Sequence, residues 1–303
     1  MINHLHPFVP AKKRHGKRRA TAFDVANYAL MVFLGLCFLY PIWYCIITSI
    51  SSADAISREL PMLWPNTFSL SAYHVVLSEE MLPVYYRNSI FYAFVGTVLS
   101  LVLTSMMAYP FIIPDFKGKT LLNIYMVITM FFSGGLLPTF YLITSLGLRN
   151  TIWVMLLPGA VGAYNTIVFR TFFKSIPSSL SEAACIDGAS HYRVLFLIIL
   201  PLSKSLLATF GLFGVVGRWN DWFTPFLYLT RKTLQPIQLY LRSVLVVASY
   251  TSDPSYQIPE SLRVVEENLK CAIVLITIGP ILLIYPFLQK YFVKGVMVGA
   301  IKA

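Results

Sequence analysis

The chain has 303 residues, of which 57% are hydrophobic and only 12% charged, against roughly half and a quarter in a soluble domain; this excludes an ordinary soluble fold and places most of the chain in lipid. The net charge of +11 does not mark a nucleic-acid binder, because Lys and Arg stand in short runs at the ends of apolar segments instead of among aromatics on one face. Cys37, Cys45, Cys185 and Cys271 have neither metal-ligand spacing nor the pattern of a secreted disulfide framework.

Residues 1–23 hold Lys12, Lys13, Arg14, Lys17, Arg18 and Arg19 and no acid, so they are expected to form a basic cytoplasmic tail without a core. Residues 24–303 read as one membrane domain. The first apolar run, at about 25–50, is too long for the core of a signal peptide and is followed by no clean cleavage site. Further runs at about 88–111, 121–145, 150–172, 206–230 and 270–292 make six transmembrane helices of roughly 20 residues each, the length that crosses about 30 Å of hydrocarbon. The expected fold is all-α and integral to the membrane, with both termini on one side. Under that topology the tail, the loop with Lys117 and Lys119, the 174–205 loop with Lys174, Arg193 and Lys204, and the end with Lys290, Lys294 and Lys302 share one side. Lys and Arg concentrate there, and the positive-inside rule makes it the cytoplasm.

The outer segment 51–87 carries Asp54, Glu59, Glu79 and Glu80 with a turn signal at Trp64-Pro65-Asn66, and reads as a surface cap. The outer segment 231–269 is longer, and Gln235 to Ala248 is expected to form an interfacial helix. Two readings of that segment stand: a docking surface for an external protein, and a solvated connector. Gly134-Gly135 with Pro138, Pro158-Gly159 with Gly162, and Gly279-Pro280 with Pro286 interrupt the apolar runs, either as sites of close helix packing or as kinks lining a pore.

Between the fourth and fifth runs lies an elbow. Ser179 and Glu182 stand at capping-box spacing, Gly188 suits the left-handed end of a short helix, a second helix can start at Ser190, and Pro201 disturbs its continuation. Glu182-Ala183-Ala184, Gly188, Ile198 and Leu200-Pro201 reproduce the spacing of the EAA loop, so the chain resembles the membrane subunits of bacterial ABC importers. The resemblance implies a coupling helix docked in a cleft of a cytoplasmic ATPase, with Glu182, Ala183, Ala184, Asp187 and Gly188 as the coupling residues.

Leu63–Tyr73, Phe131–Leu148, Leu157–Pro177 and Tyr285–Lys302 extend the likeness over most of the chain, to carbohydrate-importer permeases of the maltose-transporter type and their LplC-like subgroup. Ser205 departs from it, since many sugar permeases carry proline there. The resemblance implies the type I importer fold, with a first helix packed on a partner subunit and five helices around the pathway. It also implies a second homologous permease in a heterodimer, two ATPase subunits holding ATP and Mg, and an external solute-binding protein. The location is the bacterial cytoplasmic membrane, and the substrate a carbohydrate, with importers of alginate and other uronate chains within the subgroup. A homodimer and an importer of a non-sugar solute are the nearest alternatives.

The chain itself has no GxxxxGK[ST] phosphate loop, so no cofactor is expected in it. An intramembrane enzyme is disfavoured because His4, His6, His15, His74 and His191 all lie outside the apolar runs and no HExxH occurs. An ion channel would need filter motifs that are not seen. The remaining candidate site is Arg218, Trp219, Asn220, Asp221 and Trp222 in the fifth run. Charges there need a partner or a water-filled cavity. Arg218 and Asp221, three apart, can neutralise each other; alternatively the face lines the pathway, with tryptophan on sugar rings, Asn220 on hydroxyls and Arg218 on a uronate.

Overall fold

The first helix begins where the chain can cap it. In the computed structural model, which describes residues 21–52, 56, 63–65, 67–114, 116–251 and 267–283, α1 spans Ala22–Ser49 behind a Thr21 N-cap. Asp24 Oδ2 accepts from the Thr21 N–H at 2.9 Å while Thr21 Oγ1 accepts from the Asp24 N–H at 3.3 Å, a reciprocal capping box. The helix therefore starts two residues inside the expected tail. At 28 residues it is about 42 Å long. Only its last residues, Ile47, Thr48 and Ser49, are buried, and Phe23, Leu30, Phe33 and Phe38 point away from the rest of the chain.

The axis of the bundle is α3, Leu82–Ala108, continued by a 3-10 turn over Tyr109–Ile112. It starts earlier than the apolar pattern indicates because Pro83 fits the first turn, where a missing N–H costs nothing. A short α2, Ser71–Leu77, precedes it. Against α3 pack α7 (Ala163–Lys174), α10 (Lys204–Trp219) and α12 (Ile237–Thr251). The crossing with α10 is close because glycines face side chains in both directions. A Cβ on Gly96 would stand 2.8 Å from the Arg218 guanidinium, and one on Gly214 2.8 Å from the Thr97 side chain.

Three expected single crossings are broken. The 121–145 run forms α4 (Lys119–Phe131) and α5 (Leu136–Ser145), bent by 117°, with Gly135 at φ +83 in the joint. The 150–172 run forms α6, Trp153–Leu156, and then α7 after a turn in which Gly159 takes φ +70. The 206–230 run ends its helix at Trp219 and resumes as α11, Phe223–Tyr228. Among the described residues two helices, Ala22–Ser49 and Leu82–Ile112, are long and apolar enough to cross a membrane, or up to four if each bent pair is one span. The last helix, α13, is described over 267–283. The basic residues of the tail, Pro286, the Tyr285–Lys302 stretch and the end of the sixth run lie outside the described residues.

The helix α12 is docked on α3. The Ile237 N–H donates to Ser89 Oγ at 2.8 Å, Asn88 Nδ2 donates to the Thr233 and Gln235 carbonyls, and Tyr92 OH donates to the Leu234 carbonyl at 2.9 Å. Ile237 is buried and Tyr240 stacks on Tyr85 with centroids 5.1 Å apart. These bonds satisfy the irregular backbone that leads into α12, which is what lets it lie against a helix face.

Candidate coupling elbow and pathway face

The elbow helix α8 spans Ser178–Ile186. It starts one residue before Ser179, behind Pro177, so Ser179 is inside the first turn and the capping box with Glu182 does not form. That box needs an extended serine outside the helix; Pro177, at ψ 124, already supplies the extended residue. The C-terminal end is as the residues suggest. Gly188 sits at φ +82, its N–H donates to the Cys185 carbonyl at 3.1 Å, and the Ala189 N–H donates to the Ala184 carbonyl at 2.9 Å. This is the Schellman arrangement, which satisfies the last carbonyls at a left-handed residue.

The two alanines point differently. Ala184 packs with Ala189 onto a core of Phe169, Phe173, Val194, Leu195 and Ile199, whereas Ala183, Glu182 and Asp187 are exposed. No residue of α8 is buried, and Ile186 is 86% exposed. A short helix thus carries an apolar tip outward while its base is locked to the bundle.

The next helix, α9 (His191–Leu202), holds a π-helical segment at Leu195–Ile199 just before Pro201. Proline has no N–H to donate and its ring crowds the carbonyl four residues back, and a single wide turn absorbs both effects. The chain then turns by 83° into α10. At the corner, buried Ser203 directs its Oγ to the Ile199 carbonyl at 2.7 Å.

At the far end of α10 the structure separates the residues grouped by the sequence. Of the two readings open for this stretch, the Arg218–Asp221 ion pair is not found among the described residues. Spacing of three brings side chains together only on a continuous helix, and α10 stops at Trp219. Asp221 Oδ1 instead accepts from the Phe223 and Thr224 N–H groups at 3.1 and 3.0 Å, capping α11. Arg218 Nη1 donates to the Met155 carbonyl at 2.9 Å, in the space left by Gly96.

Trp219 is 5% exposed, packs near Tyr86 and donates Nε1–H to the Thr277 carbonyl at 3.2 Å. Its ring is a core element. Trp222 is 40% exposed, and Asn220 Oδ1 accepts from Gln238 Nε2 at 3.3 Å. The sequence reading missed Arg242, whose guanidinium lies 4.5 Å from the Trp222 ring centroid and 4.1 Å from that of Phe226. A signal was present: Arg242 is the sole charged residue between Gln235 and Tyr250. Trp222, Gln238 and Arg242 line one shallow open cavity of about 250 Å³. Among the described residues no cluster of His, Cys, Asp or Glu is placed to hold a metal ion.

Residues 85–298 match the family described as binding-protein-dependent transport system inner membrane component. The chain is 36% identical over 280 residues to the polygalacturonan/rhamnogalacturonan transport system permease protein YtcP of Bacillus subtilis (strain 168), covering 92% of this chain and 98% of that one. It is 37% identical over 291 residues to Protein LplC of the same organism, covering 95% and 97%. A chain in the crystal structure of a bacterial ABC transporter involved in the import of the acidic polysaccharide alginate superposes with a TM-score of 0.80 at 32% identity, covering 89% of this chain and 96% of that one. This chain therefore belongs to the binding-protein-dependent transport system inner membrane components, and is an integral cell-membrane subunit of an ABC transporter, not an enzyme.

Proposed function

We propose that the chain is one membrane half of an ATP-driven importer that carries an acidic oligosaccharide inward from an external solute-binding protein. The observation that carries the reading is α8, an exposed helix with an apolar tip, closed by Gly188 and braced on the bundle through Ala184 and Ala189. Such an element transmits force without chemistry of its own. ATP and Mg belong to a separate pair of ATPase subunits that engage Glu182, Ala183, Asp187 and Ile186. On the proposed topology, six spans with both termini in the cytoplasm, α8 lies on the side from which an ATPase reaches it. The exposed apolar surface of α1 supports a second, related permease as neighbour, since only lipid or another apolar surface covers such a helix favourably.

The carbohydrate assignment is supported by the likeness to the YtcP permease and to the alginate-transporter chain. For the acidic class the supporting geometry is Arg242 on Trp222 and Phe226: aromatic faces suit a sugar ring, and a guanidinium suits its carboxylate. Arg218, committed to Met155, is relieved of that role.

The test is co-expression with the products of neighbouring genes, purification, and uptake of a labelled galacturonate trisaccharide by proteoliposomes containing ATP. The expected complex contains two different permeases, and its uptake requires both ATP and the binding protein. An active complex with this chain as its sole membrane subunit would overturn the heterodimer. Absence of carbohydrate uptake by the full assembly would overturn the substrate class.

A further inference from the structure

Hydroxyls on membrane helices ordinarily bond back to a carbonyl of their own helix. Several here do so: Ser105 Oγ donates to the Leu101 carbonyl at 2.6 Å, Thr166 Oγ1 to Gly162 at 2.9 Å and Thr209 Oγ1 to Ser205 at 2.9 Å. Thr97 and Thr104 on α3 do not. Thr97 is 4% and Thr104 2% exposed, and neither Oγ1 has a hydrogen-bond partner. A buried hydroxyl left unpaired costs as much as a lost hydrogen bond, so two on one helix need an explanation.

Both line the same cavity, a crevice of about 250 Å³ between α3, α7 and α10. Its other walls include Asn165 and Tyr164 from α7 and Phe213 from α10, and the two rings are exposed at its edge. Among the described residues no charged one lines it. Gly214 keeps it open on one side, because a Cβ there would stand 2.9 Å from Thr97 Oγ1. A carboxamide and two buried, unpartnered hydroxyls in its walls, beside aromatic rings, suit a ligand that is rich in hydroxyls and has an apolar face. The volume falls below the roughly 300 Å³ of the smallest drug-sized sites, which is room for one sugar ring and not for a chain of them.

We infer that this crevice is a carbohydrate subsite of the subunit, in which Thr97, Thr104 and Asn165 hydrogen-bond the hydroxyls of one pyranose unit and Tyr164 and Phe213 flank its ring. It rests on the proposed carbohydrate import and adds a division of labour: the crevice reads hydroxyls, and Arg242 reads the carboxylate.

The experiment uses the complete importer in proteoliposomes. Thr97→Val and Thr104→Val keep shape and remove only the hydroxyls; each is expected to raise KM for the galacturonate trisaccharide about three- to tenfold, with the complex still assembling. Independently, Asn165→Cys, in a background with the four native cysteines replaced by Ala, is expected to react with a membrane-impermeant methanethiosulfonate, and the reaction to slow when binding protein and trisaccharide are added. Unchanged KM in the double valine variant, or thiol reactivity indifferent to the sugar, overturns the subsite while leaving carbohydrate import standing. A wild-type complex that imports no carbohydrate removes both.

Discussion

Gly96→Ala tests whether the α3–α10 crossing is built around Arg218. Taken alone, alanine for glycine inside a helix is stabilising by about 1 kcal/mol. Here the new methyl would stand 2.8 Å from Arg218 Nη1 and 2.9 Å from Cζ and Nε, so the guanidinium, the far end of a flexible side chain, has to shift. The shift gives up the 2.9 Å bond to the Met155 carbonyl, about 1.5–3 kcal/mol for a charged donor. The net expectation is a loss of about 0.5–2 kcal/mol. Gly217→Ala is the control, because nothing among the described residues lies within 4 Å of a Cβ there, and it should be neutral or slightly stabilising. Thermal unfolding of the detergent-purified complex, followed by fluorescence-detected gel filtration, reads the difference, expected at roughly 2–6 °C. In an Arg218→Ala background the penalty of Gly96→Ala should largely vanish. If the two changes are simply additive, the glycine is not there for the arginine and the reasoning fails.

Gly188→Ala meets no neighbour within 4 Å, so its cost is the left-handed backbone alone, about 1–2 kcal/mol; Gly188→Val should lose substrate-stimulated ATPase while remaining in the membrane, and Gly188→Asn should retain part of it. Asp221→Ala should cost about 1 kcal/mol through the lost cap of α11, with thermal stability showing no coupling between Asp221→Asn and Arg218→Gln. Asn150, at φ +58, accepts on Oδ1 from the Thr230 N–H at 2.6 Å and donates Nδ2–H to Thr230 Oγ1; Asn150→Ala should lower stability by about 2 kcal/mol. Arg242→Gln should raise KM for the galacturonate trisaccharide about tenfold or more and leave a neutral oligosaccharide unaffected, read in competition uptake.

What was legible in the sequence is what is local. Gly188 announces a helix end because few other residues take its φ, and the stop holds whatever lies nearby. The interruptions at Gly135 and Gly159 are legible for the same reason, though their size is not: whether a glycine turn bends a span by a little or by 117° depends on what packs against both arms. Gly96 and Gly214 were silent, being single glycines in apolar runs whose meaning comes from Arg218 and Thr97 on the opposite helix. Arg218 and Asp221 looked paired because spacing was counted along a helix that ends at Trp219. Trp219 and Trp222 are alike in sequence, and only the position of Thr277 and Arg242 separates the core ring from the exposed one.

These local and tertiary devices together divide the chain into stiff pieces and joints. Val194, Leu195 and Ile199 are buried against Phe169 and Phe173, and Ala184 packs on the same cluster, so the base of α9 and the end of α7 are held together and α8 rests on them through Ala184. The block meets α10 at the Ser203 corner, where the buried hydroxyl bonds to Ile199 and holds the 83° turn. Beyond it, α10 crosses α3 closely, with Thr97 against Gly214 and Arg218 against Gly96. The turns at Gly135 and Gly159, like those at Gly118, Gly147 and Gly188, are at positive φ with nothing among the described residues within 4 Å of a Cβ. Packed cores shift between discrete arrangements and do not deform continuously, so, on the coupling role proposed for α8, a displacement at the elbow is expected to reach the Arg218 crossing as rigid-body motion.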